Sequence, residues 1–344
     1  MGLALLTPDT VLGYLQERRL VGADGAARLR VLDLSRRNHN LAVEIDGRPR
    51  WFVKQMQYNT AEVATSLRRE ASWYRAAEER AALAALAALM PRCADFDAAN
   101  SILVLDFLDG VNAAEAHRRV GPFDARVPAL LGRLIGTLHN ATAGALESAA
   151  RDSFPRELPW VLRPGSQAAG ARSRFVSWFE RDGAAARALA GLRAMWQCDT
   201  LIHGDARLEN FIFCRPADPA EPLDVRLVDW ELAGLGDGAW DCANVMQHYW
   251  AQWTSPAGWD DLASVLRAFW AAYAEVRGLS AWENRRLFRR ATMFTAARLV
   301  QTAYEQVAAA GWTPPALHSA RLARLLLIAP GQALQGLEDD GHPA

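Results

Sequence analysis

The hydrophobic pattern opens with alternation. Residues 41–46, LAVEID, and 50–54, RWFVK, flank Gly47 and predict two strands joined at an Asp-Gly turn. In the second strand Trp51 and Val53 face one way while Phe52 and Lys54 face the other. The period then lengthens. Thr60 is placed to cap a helix running to about Met90, where Pro91 stops it, and Val63, Leu67, Ala71 and Tyr74 recur at helical spacing. Glu70, three residues after Leu67 and four before Tyr74, puts a carboxylate along that apolar face. Residues 101–107, SILVLDF, read as a third strand, followed by Asp109-Gly110. The first 108 residues therefore predict a small α+β lobe of order β-β-α-β.

Beyond Gly110 the pattern turns helical. Leu131, Leu134, Ile135 and Leu138 mark an amphipathic helix, and scattered Pro, Gly and Ser make residues 147–170 a loop or an insertion. Residues 201–213, LIHGDARLENFIF, set a polar run between two apolar anchors. A strand (FIFC), a turn with Pro216 and Pro219 and a second strand (VRLVDW) follow. From about Trp240 to Leu337 the chain reads as helices rich in Ala, Arg and Trp. At 344 residues it exceeds what one core usually carries, so two domains are predicted, 1–108 and 109–344.

Charge narrows the partners. Lys plus Arg number 38 against 39 Asp plus Glu, a net charge of −1, which argues against a general nucleic-acid or anionic-membrane binder. Cys93, Cys198, Cys214 and Cys242 form no CxxC pair and read as free thiols in a reducing compartment. The start, MGLALLTPDT, lacks a basic n-region and a long apolar core, so no signal peptide is expected; Leu6 stands where a myristoylation motif wants Ser or Thr. The alanine-rich run Ala81 to Met90 is about half a membrane span. A cytoplasmic protein is expected.

The polar run carries the chemistry. Asp205 can accept a proton from an alcohol, and the amide oxygen of Asn210, five residues later, can bind a cation. Asp229, nineteen residues further at a strand end, can bind the same hard cation; magnesium takes few protein oxygens and completes its shell with phosphate and water. A base, an Asn and an Asp form the working set for phosphoryl transfer, where positioning and charge neutralisation supply most of the acceleration. Lys54 on a strand can reach nucleotide phosphates, with Glu70 on the next helix holding it.

In this order the residues resemble the aminoglycoside phosphotransferase and choline kinase group, kinase-like enzymes with HGD where protein kinases carry HRD. The matching segments are Lys54, Glu70, LVLDFLDG at 103–110, LGRLIGTLHNAT, HGDARLEN, VDWELAGLGDGAWDCANV and the helical tail. The resemblance implies a two-lobed protein-kinase-like fold with a small β-rich N-lobe and a larger helical C-lobe. It also implies ATP and Mg2+ as cofactors. Asp205 would be the base, Asn210 and Asp229 the metal ligands, and the backbone of Asp106, Phe107 and Leu108 the adenine hinge. His203 and Asp241 would brace the catalytic loop. No GxGxxG is present; LSRRNHNLAV stands there, where Arg36, Arg37, Asn38 and Asn40 could donate to phosphate instead. Glu231 is either a further metal ligand or a loop acid.

Other residues keep two readings. Arg207 is a structural ion pair or a contact to phosphate or substrate. Trp240, Trp250, Trp253, Trp259 and Trp270 form core packing or a cation cage. Arg285, Arg286, Arg289 and Arg290 are a solvated helix face or line an acceptor cleft. The expected activity is transfer of the γ-phosphate of ATP to a hydroxyl of a small-molecule or natural-product acceptor. A Ser/Thr kinase acting on a peptide and an inactive nucleotide-binding pseudokinase are the alternatives.

Overall fold

A computed structural model describes residues 4–22, 29–35, 39–56, 61–142, 154–156, 158–163, 171–215, 223–254 and 256–331. Thr60, Pro216, Pro219 and most of 147–170 lie outside these residues. In chain order come helix α1 (Val11–Glu17), strands β1 (Leu29–Asp33), β2 (His39–Ile45) and β3 (Arg48–Gln55), helix α2 (Ala61–Glu79), and strands β4 (Cys93–Asp97), β5 (Ile102–Asp106) and β6 (Gly110–Asn112). Helices α3 (Ala113–Val120), α4 (Arg126–Ala141), α5 (Ala171–Glu180) and α6 (Gly183–Ala194) follow. Next are strands β7 (Thr200–Ile202), β8 (Phe211–Cys214), β9 (Asp224–Leu227) and β10 (Gly234–Gly236). Helices α7 (Gly238–Gln252), α8 (Trp259–Arg277), α9 (Ala281–Ala310) and α10 (Pro314–Ile328) complete the order. The architecture is α+β.

The chain forms two compact units, Met1–Asn112 with Ile212–Ala233, and Ala113–Phe211 with Gly234–Ala344. Where the sequence reading divides the chain after residue 108, the first unit runs to Asn112 and also takes in Ile212–Ala233, the segment around Asp229. Strand β8 pairs there with β6 (Val111 opposite Phe213), and the turn Trp230–Leu232 packs on α2.

In the first unit an antiparallel sheet has the order β1-β2-β3-β5-β4. One face carries Leu41, Val43, Trp51, Val53, Ile102 and Val104, packed with Val11 and Leu15 of α1. This face exploits the alternation seen in the sequence. β1, β4 and α1 were not predicted. β1 and β4 are edge strands with charged or half-exposed positions, so neither shows clean alternation.

The predicted helix to Met90 is also corrected. α2 ends at Glu79, Arg80 is extended, and Ala81–Leu89 forms 3₁₀ turns. Leu83, Leu86 and Leu89 are buried. A leucine every third residue stays on one face only at three residues per turn, whereas an α-helix would rotate that stripe away.

In the second unit α4 packs along α8, and α9 packs on α7 and α10. α4 comes close at Gly132, where a Cβ would lie 2.1 Å from the Phe269 carbonyl oxygen. Gly132→Ala is therefore expected to force the helices apart and cost about 1–3 kcal/mol, read as a lowered thermal midpoint. α9 begins at a capping box, with Ser280 and Glu283 exchanging bonds.

Candidate functional site

In the first unit the β3 pleat turns Lys54 away from the face shared by Trp51 and Val53. Its Nζ donates to Glu70 Oε2 at 2.6 Å and to Asp229 Oδ1 at 2.6 Å. Lys54 and Glu70 are almost wholly buried, while the Asp229 side chain is 47% exposed. Tyr74, one turn along α2, donates to Glu70 Oε1 at 3.1 Å. Burial alone would pull the Lys54 ammonium down, but Glu70, Asp229 and Glu231 outweigh it and hold it above the ordinary range. Burial pushes the Glu70 carboxyl up, to about 7, against the opposing pull of Lys54.

Asp229 sits in the left-handed region at φ 65° and ψ 57°. That conformation is tolerated by Asp better than by most residues and is found at functional sites. Glu231 accepts from Ser66 of α2. Asn40 lies directly across the ladder from Lys54, and its buried Oδ1 has no hydrogen-bond partner among the described residues. Arg37 and Asn38 lie outside the described residues.

The three carboxylates Glu70, Asp229 and Glu231 around one ammonium leave a surplus of negative charge, which suits a hard divalent cation. Among the described residues no group of three His, Cys, Asp or Glu side chains forms a ready-made metal cage. Magnesium bound through one or two protein oxygens needs none. At the expected hinge, the Asp106 N–H donates to Arg92 O at 2.9 Å and the Phe107 N–H to Arg50 O at 3.0 Å. The Asp106 carboxylate is held by the Arg92 guanidinium.

In the second unit the polar run becomes a braced loop. Asp241, fully buried on the first turn of α7, accepts from the His203 N–H at 2.7 Å and the Gly204 N–H at 2.9 Å. His139 of α4 faces the same carboxylate at 3.3 Å and contacts the Tyr273 hydroxyl at 3.0 Å through its other nitrogen. Gly204 adopts φ 84°, a turn that a side chain would strain. Its carbonyl accepts from Trp240 Nε1 at 3.0 Å. The Asn210 side-chain amide donates to the Asp205 carbonyl at 2.9 Å, which ties Asp205 and Asn210 together within the loop. Asp241→Ala strips two buried N–H groups of their acceptor and is expected to cost several kcal/mol at about 1–3 for each orphaned donor. A thermal midpoint within 2 °C of the parent value, read by calorimetry, would sink this account of the brace.

Arg207 is resolved in part: Nη2 lies 2.9 Å from Asp205 Oδ2 and Nη1 lies 3.9 Å from Glu305 Oε2. Burial pushes the Asp205 carboxyl up; Arg207 and Arg298 pull the other way, and Glu305 adds to the rise.

With both sets of residues placed, the comparisons decide the family. The model of the phosphotransferase enzyme family matches residues 28–288. The chain belongs to that family. No curated protein matched in sequence comparison. The fold is shared with solved phosphotransferase structures. An ethanolamine kinase from Plasmodium vivax has a TM-score of 0.60 at 13% identity, over 95% of this chain and 92% of that one. A choline kinase from Cryptosporidium parvum Iowa II scores 0.59 at 12% identity, over 96% and 98%. A macrolide 2′-phosphotransferase from Brachybacterium faecium scores 0.50 at 16% identity, over 97% and 100%.

Some residues of this phosphotransferase escaped sequence reasoning. Arg298 and Glu305 of α9 lie beside the polar loop, and Asn244 of α7 holds Arg298. The signal was present in one form: Arg298 interrupts the apolar run FTAARLV, on a helix face whose neighbours Phe294 and Ala297 are buried. The arginine cluster needs a correction. Arg285, Arg286 and Arg289 are exposed, but Arg290 is buried and paired with Asp199 and Asp237, each at 3.0 Å. The four arginines line an open groove of about 520 Å³ with Trp282, Met195, Gln197 and Met293.

Of the tryptophans, Trp240 and Trp250 are fully buried, and Trp250, Trp253 and Trp259 pack edge-to-face at 5.8–5.9 Å between ring centres. Cys93, Cys214 and Cys242 are free thiols. Among the described residues no helix is long and apolar enough to cross a membrane.

Proposed function

We propose that the chain transfers the γ-phosphate of ATP, with magnesium, to a hydroxyl of a small-molecule acceptor. The observation that carries this is the buried Lys54 ammonium held at 2.6 Å by both Glu70 and Asp229. A lysine fixed by two carboxylates near the end of the central strand β3 is costly to bury and has an evident use in gripping phosphate.

Lys54 would orient the α- and β-phosphates, with Glu70 setting its position. Asp229 and Asn210 would hold the metal, and Glu231, positioned by Ser66, would add negative charge beside Asp229. Magnesium, when bound, would neutralise charge on the transferring phosphoryl group. Asn40, opposite Lys54, has an amide that can be turned to donate to phosphate. Adenine would use the Leu108 amide and the hinge carbonyls, because the Asp106 and Phe107 amides already donate within the sheet. Asp205 would take or orient the hydroxyl proton, and Arg207 would steady its outer oxygen.

The acceptor chemistry follows from charge. Asp205 and Glu305 are balanced by Arg207 and Arg298, so this cluster offers no acidic surplus for a polycation. Similar structures are named for ethanolamine, choline, a macrolide and aminoglycosides, which supports a small hydroxyl-bearing acceptor.

The test is a panel of hydroxyl compounds incubated with ATP and Mg2+, read by mass for the gain of one phosphate. Asp229→Ala gives a second arm. It should abolish the magnesium dependence of nucleotide affinity, and an affinity equal to wild type with and without Mg2+ would remove Asp229 as a ligand.

A further inference from the structure

The side chains around Asp205 form a closed circuit that leaves the polar loop and returns to it. Gly204 accepts from Trp240 Nε1 at 3.0 Å; the Trp240 carbonyl accepts from Asn244 Nδ2 at 2.9 Å; Asn244 Oδ1 accepts from Arg298 Nε at 2.6 Å. Arg298 Nη2 then faces Asp205 Oδ1 at 3.6 Å. Trp240, Asn244 and Arg298 are each no more than 1% exposed. Two rigid helices, α7 and α9, therefore supply a guanidinium whose plane is fixed before it meets the carboxylate.

A buried arginine is expensive unless it is both paired and hydrogen-bonded. Nothing in core packing calls for one between Ala297 and Leu299, where a leucine would fill space more cheaply. Its two charge partners are Asp205 and, at 3.6 Å through Nη1, Glu305. Arg207 meets the same two carboxylates from the loop side. The titratable groups facing Asp205 within its unit are thus Arg207, Arg298, Glu305 and His203.

We infer that Arg298 is a positioning residue for Asp205: anchored through Asn244 and Trp240 to the loop backbone, it fixes the direction of the carboxylate that receives the acceptor hydroxyl. Glu305 shares the two guanidiniums, so that Asp205 is held without being their sole counter-ion. The assignment rests on Asp205 being the base. It places the control of that base on α9, in a helix far along the chain from the polar loop.

The experiment measures ADP release from ATP and Mg2+ with water as acceptor, together with ATP affinity and thermal midpoint, in Asp205→Asn, Arg298→Met, Arg298→Lys and Asn244→Leu. Arg298→Met is expected to lower kcat by about 10- to 100-fold, the scale of a small misplacement at a reacting centre, with the KM for ATP unchanged. Arg298→Lys keeps the cation but not the fork and should recover part of the loss. Asn244→Leu should reproduce the fall in kcat, and its combination with Arg298→Met should be less than additive.

Wild-type kcat in Arg298→Met would overturn the inference. So would equal losses in the Met and Lys variants accompanied by weakened ATP binding, which would mark a merely structural arginine. If Arg298→Met fails to fold, the Lys and Leu variants carry the decision: unchanged kcat in both overturns it. Failure of the base assignment looks different, because Asp205→Asn would then release ADP at the wild-type rate.

Discussion

Asp205→Asn is expected to keep ATP affinity within about twofold while turnover falls by roughly 100- to 10,000-fold, the usual worth of a positioned base. The substitution is nearly isosteric. The backbone bonds that shape the loop, from Asp241 to the His203 and Gly204 amides and from Asn210 to the Asp205 carbonyl, do not involve the Asp205 side chain. What changes is the charge between Arg207 and Arg298. An amide there cannot act as a base, and its NH2 group turns donors toward one of the two guanidiniums, which has nothing to accept them. The loss should therefore appear in kcat rather than in the KM for ATP. Equal losses in both would point to a collapsed loop instead of a missing base.

Lys54→Met is expected to remove nucleotide binding and to destabilise the fold, through one cause. Glu70 would lose its ammonium partner while staying buried, a break that costs about 3–5 kcal/mol when the stranded group remains charged. The sign of the pH dependence follows. Burial already raises the Glu70 carboxyl to about 7 from an ordinary 4.5, and removing Lys54 raises it further. A raised carboxyl favours the fold at low pH, where it is neutral, and loses that contribution as pH rises through its folded value. The deficit of Lys54→Met relative to wild type should thus be small near pH 5 and should grow above pH 7, read as the gap in thermal midpoint. Adding Glu70→Gln should close much of that gap, since glutamine still accepts from Tyr74. Nucleotide binding should stay absent in the double variant, which separates the stability role of the pair from its function.

The sequence was most legible where chemistry and periodicity coincided. Alternation in RWFVK placed Lys54 opposite Trp51 and Val53, and the helical register carried Glu70 along the buried face of α2. These two side chains lie 16 residues apart and meet at 2.6 Å. HGDARLEN stood out as a polar run between apolar anchors, and within it the Asn210 side-chain amide donates to the Asp205 carbonyl.

Elements governed by neighbours were hidden. β1 and β4 pair along only one edge each, so half of their pattern is solvated. The alanine run after Arg80 looked α-helical because alanine favours helix anywhere, whereas the threefold leucine spacing decided for 3₁₀. Arg298 and Glu305 were hidden by distance: no local rule ties α9 to a loop some ninety residues earlier. Arg290 looked like its exposed neighbours until Asp199 and Asp237 were seen beside it.

The central claim is phosphoryl transfer from ATP to an alcohol with Asp205 as base. It is tested most directly by counting both products in one reaction, ADP and phosphorylated acceptor, for wild type and Asp205→Asn across the hydroxyl panel. The account predicts one acid-stable phosphate ester per ADP in wild type and almost none in the variant. Transfer by Asp205→Asn at the wild-type rate, or phosphate carried on nitrogen or carboxylate rather than on a hydroxyl, would contradict it.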